Sequence, residues 1–213
     1  MKTALIAGAT GLIGNQLLGK LLTSDRYQSV IAITRRPLPL NHSKLNNIVA
    51  DFNHLEEVLS GLKPDDIFCC LGTTMAKAGS KEKFYEVDFE YPYSLAKATY
   101  SIGAKQYLLV TALGSDKHSW IYYNRVKGTL EEAVRGTGFE TIHIFRPSLL
   151  LGSRMEKRPG EDVGKFLYKI FNFAVPEKYK AIDAEKVARA MLISASKDQQ
   201  GVFIHASREM QNS

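Results

Sequence analysis

Short apolar runs rich in Val, Ile and Leu alternate along the chain with longer stretches whose apolar positions recur at helical spacing. The runs predict strands over residues 3–7, 30–34, 47–50, 66–71, 106–111, 141–145 and 202–205. The longer stretches predict helices over 11–22, 85–101, 122–135 and 183–194. In the first of these, Leu17, Leu18, Leu21 and Leu22 share one face. Pro92 must lie near the start of its helix or at a kink, because it lacks an amide proton. Gly136 and Gly138 close the helix over 122–135, and Asp183 suits the N-cap of the last helix. Strands that are apolar throughout, rather than alternating, are buried on both faces. Strand–helix alternation with right-handed crossovers therefore predicts an α/β fold, a doubly wound parallel sheet with helices on both faces. The least regular stretches are 35–46 and 150–162. No repeat, linker or low-complexity segment divides the chain.

Composition narrows the class. The chain has 213 residues, 45% of them hydrophobic and 23% charged, the balance of an ordinary globular domain. No apolar stretch reaches the roughly 18 residues that span a bilayer, so no membrane association is expected. The N-terminal apolar run is too short for a signal peptide and reads as a core strand. The formal charge is +6, but Lys and Arg are spread along the chain without a basic run. That pattern predicts a solvated surface and a positive potential for an anionic ligand, not nucleic-acid binding. Cys69 and Cys70 are adjacent and on a strand would face opposite ways, which argues against an ordinary disulfide and for a reducing, cytoplasmic setting. The five histidines form no metal-ligand spacing, and no metal is expected.

The chemistry begins at Gly8-Ala9-Thr10-Gly11-Leu12-Ile13-Gly14, directly after the first strand and at the opening of the first helix. A tight turn there lets backbone approach a pyrophosphate, and the helix N-terminus supplies free amides with a partial positive charge. The third glycine allows close helix–strand packing. In that context the motif predicts a dinucleotide-binding Rossmann domain over 1–213, with a cofactor half of about 1–115 and a catalytic and substrate half of about 116–213. NAD binders commonly place an acid at the end of the second strand, on the ribose 2′-hydroxyl. Here that place reads Thr34-Arg35-Arg36. A guanidinium suits a 2′-phosphate, so NADP(H) is expected ahead of NAD(H). By the carboxyl-end rule for open sheets, Asp51 and Phe52 would flank the adenine, and Leu71, Gly72, Thr73 and Thr74 would follow the ribose and phosphates.

These residues resemble the short-chain dehydrogenase/reductase superfamily in its atypical or extended, epimerase-like branch, within the oxidoreductase subgroup typified by a Tat-interacting protein. The resemblance rests on the glycine turn, Leu71–Thr74 with Lys77 to Gly79, Val87-Asp88, and Gly114-Ser115-Asp116. It continues through Tyr123 to Lys127, Phe145-Arg146-Pro147-Ser148, and Arg158 to Glu161, and so spans nearly the whole chain. It implies that Tyr123 and Lys127, four apart on one helical face, are the catalytic pair. A free tyrosine titrates near 10; a nearby ammonium favours the phenolate and fits Tyr123 for proton exchange at neutral pH. Lys127 would also hold the nicotinamide ribose. The family's third residue is a serine after the fifth strand. Thr111 could supply that hydroxyl here, with Ser115 as a weaker candidate, while an alignment on Ala112 would leave the proton network incomplete. Pro147 and Ser148 would flank the nicotinamide. Tyr93 and Lys97 share the spacing but lie away from the family's position and read as packing or surface.

Two functions follow. One is an NADP-dependent oxidoreductase that transfers hydride to or from a small carbonyl or alcohol, with no macromolecular partner. The other is an NADP(H)-binding redox sensor that turns over little and signals through a protein partner. A nucleotide-sugar epimerase or dehydratase ranks third, since few residues follow Pro147 to build a sugar site.

Overall fold

The computed structural model describes residues 1–151 and 180–212. In chain order the elements are β1 (Lys2–Ala7), α1 (Leu12–Thr23), β2 (Tyr27–Thr34), β3 (Leu45–Val49), α2 (Leu55–Leu59), β4 (Asp66–Cys69), α3 (Met75–Ala78), α4 (Lys81–Tyr85), α5 (Tyr91–Ser101), β5 (Gln106–Val110), α6 (Tyr122–Arg135), β6 (Thr141–Arg146), β7 (Leu150–Leu151), β8 (Ile182–Asp183), α7 (Ala184–Ala195), β9 (Gly201–Ala206) and α8 (Ser207–Met210). Seven strands form one sheet in the order β3-β2-β1-β4-β5-β6-β9, with every neighbouring pair parallel. The winding reverses between β1 and β4, which opens a crevice at their carboxyl ends. β7 and β8 pair separately.

Alternation along each strand splits the core in two. Ala4, Ile6, Val30, Ala32 and Phe68 pack under α1 and α7 with Leu17, Leu21, Val187 and Met191. Leu5, Ala7, Ile31, Ile33, Ile67 and Cys69 pack under α2, α5 and α6 with Leu55, Leu95, Leu130 and Val134. Both faces of the central strands β1, β2, β4, β5 and β6 are buried, as the uninterrupted apolar strands predict, while the edge strands β3 and β9 stay partly open.

The differences from the expected elements have local causes. β2 starts three residues early because Tyr27 is buried and its hydroxyl donates to Asp66 Oδ2 at 2.7 Å. The helix expected over 85–101 is interrupted by one π turn, Glu86–Glu90, in which the Tyr91 amide reaches back to the Glu86 carbonyl. Pro92, in the first turn of α5, cannot donate, and its ring would clash with the carbonyl four residues back; the helix widens ahead of it. The short helices α2, α3, α4 and α8 and the β7–β8 pair carry too little periodicity to be marked in the sequence. Of the irregular stretch 150–162, only 150–151 is described; residues 152–162, with the Arg158–Glu161 motif, lie outside the described residues. Both thiols are free, Cys69 buried and Cys70 half-buried. Among the described residues no helix is long and apolar enough to cross a membrane, and no cluster of three metal-ligating side chains occurs.

Candidate functional site

The site is built at the switch point. Gly8 leaves β1 with φ +86°, and a Cβ there would lie 2.5 Å from the Cys70 carbonyl oxygen. The Gly11 amide donates to the Gly8 carbonyl at 3.0 Å and closes the turn. A Cβ on Gly14 would lie 2.1 Å from that same carbonyl, so only glycine lets α1 approach β1 this closely. α1 opens at Gly11 with no side-chain cap and no acid in its first turn. Its first amides therefore face outward, uncapped, with the helix dipole behind them. Backbone held this near, at an uncapped helix start, is the shape a dinucleotide's diphosphate requires. The residues present fit that group. Ala9 and Ile13 are buried and anchor the turn, whereas Thr10 and Gly11 are exposed and Leu12 partly so.

Arg35 and Arg36 leave the end of β2 exposed, and neither has a partner among the described residues. Asn47 on β3 fixes the start of their loop: it accepts from the Leu38 amide at 2.8 Å and donates to Thr34 Oγ1 at 2.8 Å and the Ala32 carbonyl at 2.9 Å. Asp51 is exposed and caps the 3₁₀ turn Phe52–His54 by accepting from the Asn53 amide at 3.0 Å. These local hydrogen bonds hold its carboxyl below the ordinary value. Phe52, expected beside the adenine, is instead buried in the core and stacked on Tyr91 at 5.4 Å. Residues 71–74 leave β4 beside the glycine turn. Thr74 caps α3 by accepting from the Lys77 amide at 3.3 Å, and Leu71 packs on the core.

α6 carries the chemistry-bearing side chains. Tyr123 is half-buried, its ring against Phe84 of α4 at 5.5 Å, and its hydroxyl makes no hydrogen bond to the described residues. One turn on, Lys127 is 3% exposed, and its ammonium stands 2.8 Å from Asp88 Oδ1, itself 0% exposed. That contact is one of charge rather than an aligned hydrogen bond. Burial works against the ammonium, but Asp88, with Tyr123 adding to it, overcomes this and holds Lys127 above the usual lysine value. Asp88 Oδ2 also accepts from the Thr73 amide at 2.8 Å. A Cβ on Gly72 would lie 3.3 Å from Asp88 Oδ1 and 3.4 Å from Lys127 Nζ, so the loop passes directly over the pair.

The structure does not bring Thr111 to this group. Its hydroxyl donates to Glu131 Oε1 at 2.7 Å, in the interior. Glu131, one further turn along α6, is gripped by Arg146 through Nε at 3.0 Å and through Nη2. The donor expected for a reacting oxygen is thus committed to a buried carboxylate. Ser115 is likewise turned inward, donating to the Ala112 carbonyl at 2.7 Å. Pro147 is buried, and its carbonyl accepts from the Leu113 amide at 2.8 Å. Ser148, expected beside the nicotinamide, bonds the Lys180 carbonyl and Ser207 and pins the β7–β8 strands to α8. The competing pair is a surface contact: Lys97 lies over the Tyr93 ring at 4.9 Å. Sequence reasoning missed roles for Asp88 and Glu131. Asp88 stands between Glu86 and Glu90, and Glu131 beside Glu132, so local composition did not mark which acid turns inward.

A parallel sheet with a reversal of winding, a glycine turn at that reversal and an uncapped helix start define a nucleotide-binding protein of the Rossmann class. The model of the NAD dependent epimerase/dehydratase family matches residues 4–119. The chain is 36% identical over 198 residues to "Protein HTATIP2" of Rattus norvegicus, covering 90% of this chain and 80% of that protein. It is 34% identical over 212 residues to "Protein fmp52, mitochondrial" of Aspergillus clavatus, covering 94% and 90%. Among solved structures it resembles "MoeE5 in complex with UDP-glucose and NAD", with TM-score 0.73 and 18% identity over 95% of this chain and 74% of that one. A Bordetella bronchiseptica enzyme, WbmH, in complex with NAD+ gives TM-score 0.72 at 15% identity, covering 97% and 76%. The protein belongs to the NAD dependent epimerase/dehydratase family, the extended short-chain dehydrogenase/reductases, as a relative of HTATIP2.

Proposed function

We propose that the protein is an NADP(H)-dependent oxidoreductase acting on a small carbonyl or alcohol in the cytoplasm. The observation that carries the reading is the Tyr123 hydroxyl, unengaged among the described residues and one helical turn from the buried Lys127, on the helix that follows β5. When bound, the cofactor supplies the hydride. The protein's part is to orient and to move a proton. The amides at the start of α1 hold the diphosphate, residues 71–74 line the ribose side, and Tyr123 gives its proton to the substrate oxygen as the carbonyl is reduced. In the reverse direction Tyr123 takes that proton back. Arg35 and Arg36, exposed and unpaired among the described residues, support NADP(H) over NAD(H) by offering guanidinium donors where a 2′-phosphate would lie. Calorimetry tests this directly. Arg35→Ala together with Arg36→Ala should weaken NADPH at least tenfold, about 1.4 kcal/mol, and leave NADH unchanged; equal loss for both would remove the arginines from specificity. Tyr123→Phe should abolish NADPH-dependent carbonyl reduction while NADPH still binds. Full turnover by that variant would remove Tyr123 from the mechanism.

The fate of Thr111 favours a second reading, a redox sensor working through a protein partner. With that hydroxyl committed to Glu131 and Ser115 turned inward, neither of the two candidates after β5 is presented to a reacting oxygen. NADPH binding without turnover across a broad carbonyl panel, with a redox-dependent partner in a pull-down, would decide for it.

A further inference from the structure

Among the described residues the most exposed large apolar side chain is Trp120, open over 98% of its surface, and its neighbour Ile121 is open over 62%. Both end the loop 111–121 that carries the chain from β5 into α6. Leaving this much apolar surface in water is unfavourable, and a slack loop would fold back over it. This loop is held out. The His118 amide donates to Asp116 Oδ1 at 2.9 Å and the Ser119 amide to the Asp116 carbonyl at 3.0 Å. The Ile121 amide donates to Ser119 Oγ at 3.2 Å, and Arg125 Nη1 reaches the Ser119 and Trp120 carbonyls at 2.7 and 3.4 Å. A Cβ on Gly128 would lie 2.3 Å from the Lys117 nitrogen, so the base of the loop lies flush on α6. The tip therefore satisfies these backbone groups from within and presents indole and aliphatic surface outward.

The surroundings are aromatic and basic. From Lys117 to Leu130 the chain has Lys117, Arg125 and Lys127 and no acid. Lys81 and Arg125 lie over the Tyr122 ring at 5.5 and 5.6 Å. Of the nearby acids, Glu132 is paired with Lys117 at 3.1 Å and Glu86 with Lys83 at 2.6 Å. Glu82 and Glu90 line a groove of about 570 Å³ beside Tyr122 and oppose the cations only in part. Indole and phenol rings with Lys and Arg beside them are what the headgroup layer of a bilayer accepts. A protein partner fits the tip poorly. One aromatic side chain buries about 150–250 Å², and a stable protein interface needs about 800 Å² per partner. A bilayer needs no matching concavity.

We propose that Trp120 and Ile121 form a membrane-docking tip, inserted below the headgroups of an anionic bilayer while Lys81, Lys117 and Arg125 stay at the level of the phosphates. The lack of a spanning stretch bears on crossing a bilayer, not on contact with its surface. The formal charge of +6 favours the same partner. One apolar pair and a few cations give a weak, reversible contact, strengthened by anionic lipid and weakened by salt. Nothing in this docking depends on the oxidoreductase reading.

Trp120 is the sole tryptophan of the chain, so its fluorescence reports on the tip alone. The probe is vesicles of phosphatidylcholine with about a third phosphatidylserine. On adding them, Trp120 emission should move to shorter wavelength, and lipid brominated in its acyl chains should quench it. Cosedimentation with the same vesicles should weaken at least tenfold in Trp120→Ser with Ile121→Ser, and at least threefold in Lys81→Gln with Lys117→Gln. Both double variants should keep the wild-type midpoint of thermal unfolding, since the side chains changed lie at the surface; this separates lost docking from lost fold. Emission that ignores anionic vesicles overturns the proposal, as does cosedimentation of the double serine variant within threefold of wild type. Equal binding to phosphatidylcholine alone overturns the anionic partner. A wild type that runs as a dimer without vesicle response, beside a monomeric double serine variant, overturns it in favour of a second copy of this chain. Failure to bind any nicotinamide dinucleotide would remove the oxidoreductase reading and leave every one of these results standing.

Discussion

At the residue scale, the glycines of α1 show how much a sequence states and how much it withholds. Gly14 and Gly19 lie on the same helix with the same chemistry. A Cβ on Gly14 would strike the Gly8 carbonyl at 2.1 Å, backbone against backbone, and neither side can yield. A Cβ on Gly19 would meet nothing within 4 Å. Gly14→Ala should cost about 2–3 kcal/mol by forcing helix and strand apart and should abolish dinucleotide binding. Gly19→Ala should stabilise by about 0.5–1 kcal/mol, the gain of helix propensity at an exposed position. Chemical denaturation of both variants checks the opposite signs; destabilisation by both would mean that α1 tolerates no change on either face. The spacing Gly8, Gly11, Gly14 was readable because it marks backbone geometry, which is local. Phe52 was misplaced for the converse reason. Its position after a strand suggested the cofactor, yet its burial is decided by Tyr91, far along the chain.

At the element scale, α6 was legible to the residue: 122–135 was expected and Tyr122–Arg135 is observed. Its inner stripe of Tyr123, Lys127 and Glu131 also follows from a spacing of four. What each side chain meets does not follow. Lys127 finds an acid from a π turn, and Glu131 finds Thr111 after β5 and Arg146 at the end of β6. Those partners are set by the sheet order, which periodicity cannot supply. The Glu131 cluster carries its own consequence. Glu131 is 2% exposed, and Arg146 is partly open to water. Glu131→Ala leaves the guanidinium unpaired and the Thr111 hydroxyl without its acceptor. The cost should be about 2–3 kcal/mol, below the full penalty for a buried charge because water reaches one side of Arg146. Glu131→Gln should recover part of it, since the amide oxygen still accepts while its charge is lost. Urea denaturation midpoints rank the three proteins; equal stability of all three would show that the cluster holds nothing together.

At the scale of the molecule, the two ends of the sheet divide the labour. The carboxyl ends carry the cofactor crevice. The opposite end is clamped by charge: buried Asp66 accepts from Tyr27, Lys2 and Arg26, and the two cations also grip Asp198, held down to about 2 by Arg26 and then Lys2. The alternation of apolar runs made the doubly wound class legible, but the clamp joins residues almost two hundred positions apart and leaves no local trace. The same holds for the last parallel pair, β6 with β9, where His143 Nδ1 and His205 Nε2 share a hydrogen bond at 3.0 Å. His143 is 1% exposed, between Phe145 and Phe203, with its second nitrogen unpartnered among the described residues. Burial first, then His205 and Lys197, lowers its value to about 4. Burial also lowers His205, with Glu209 opposing and Lys197 reinforcing. The unfolded chain takes up a proton at each ring near 6.5, whereas the folded chain keeps His143 neutral down to about 4. Unfolding therefore binds protons between those values, so stability is complete above about 6.5 and is lost as the pH falls towards 4. The midpoint of thermal unfolding should drop by roughly 3–8 °C from pH 7 to pH 4.5 through this pair. His143→Phe, which fills the same aromatic slot without titrating, should flatten most of that slope. A variant that lost stability with acid as steeply as the wild type would locate the acid sensitivity elsewhere, in the carboxylates of the clamp.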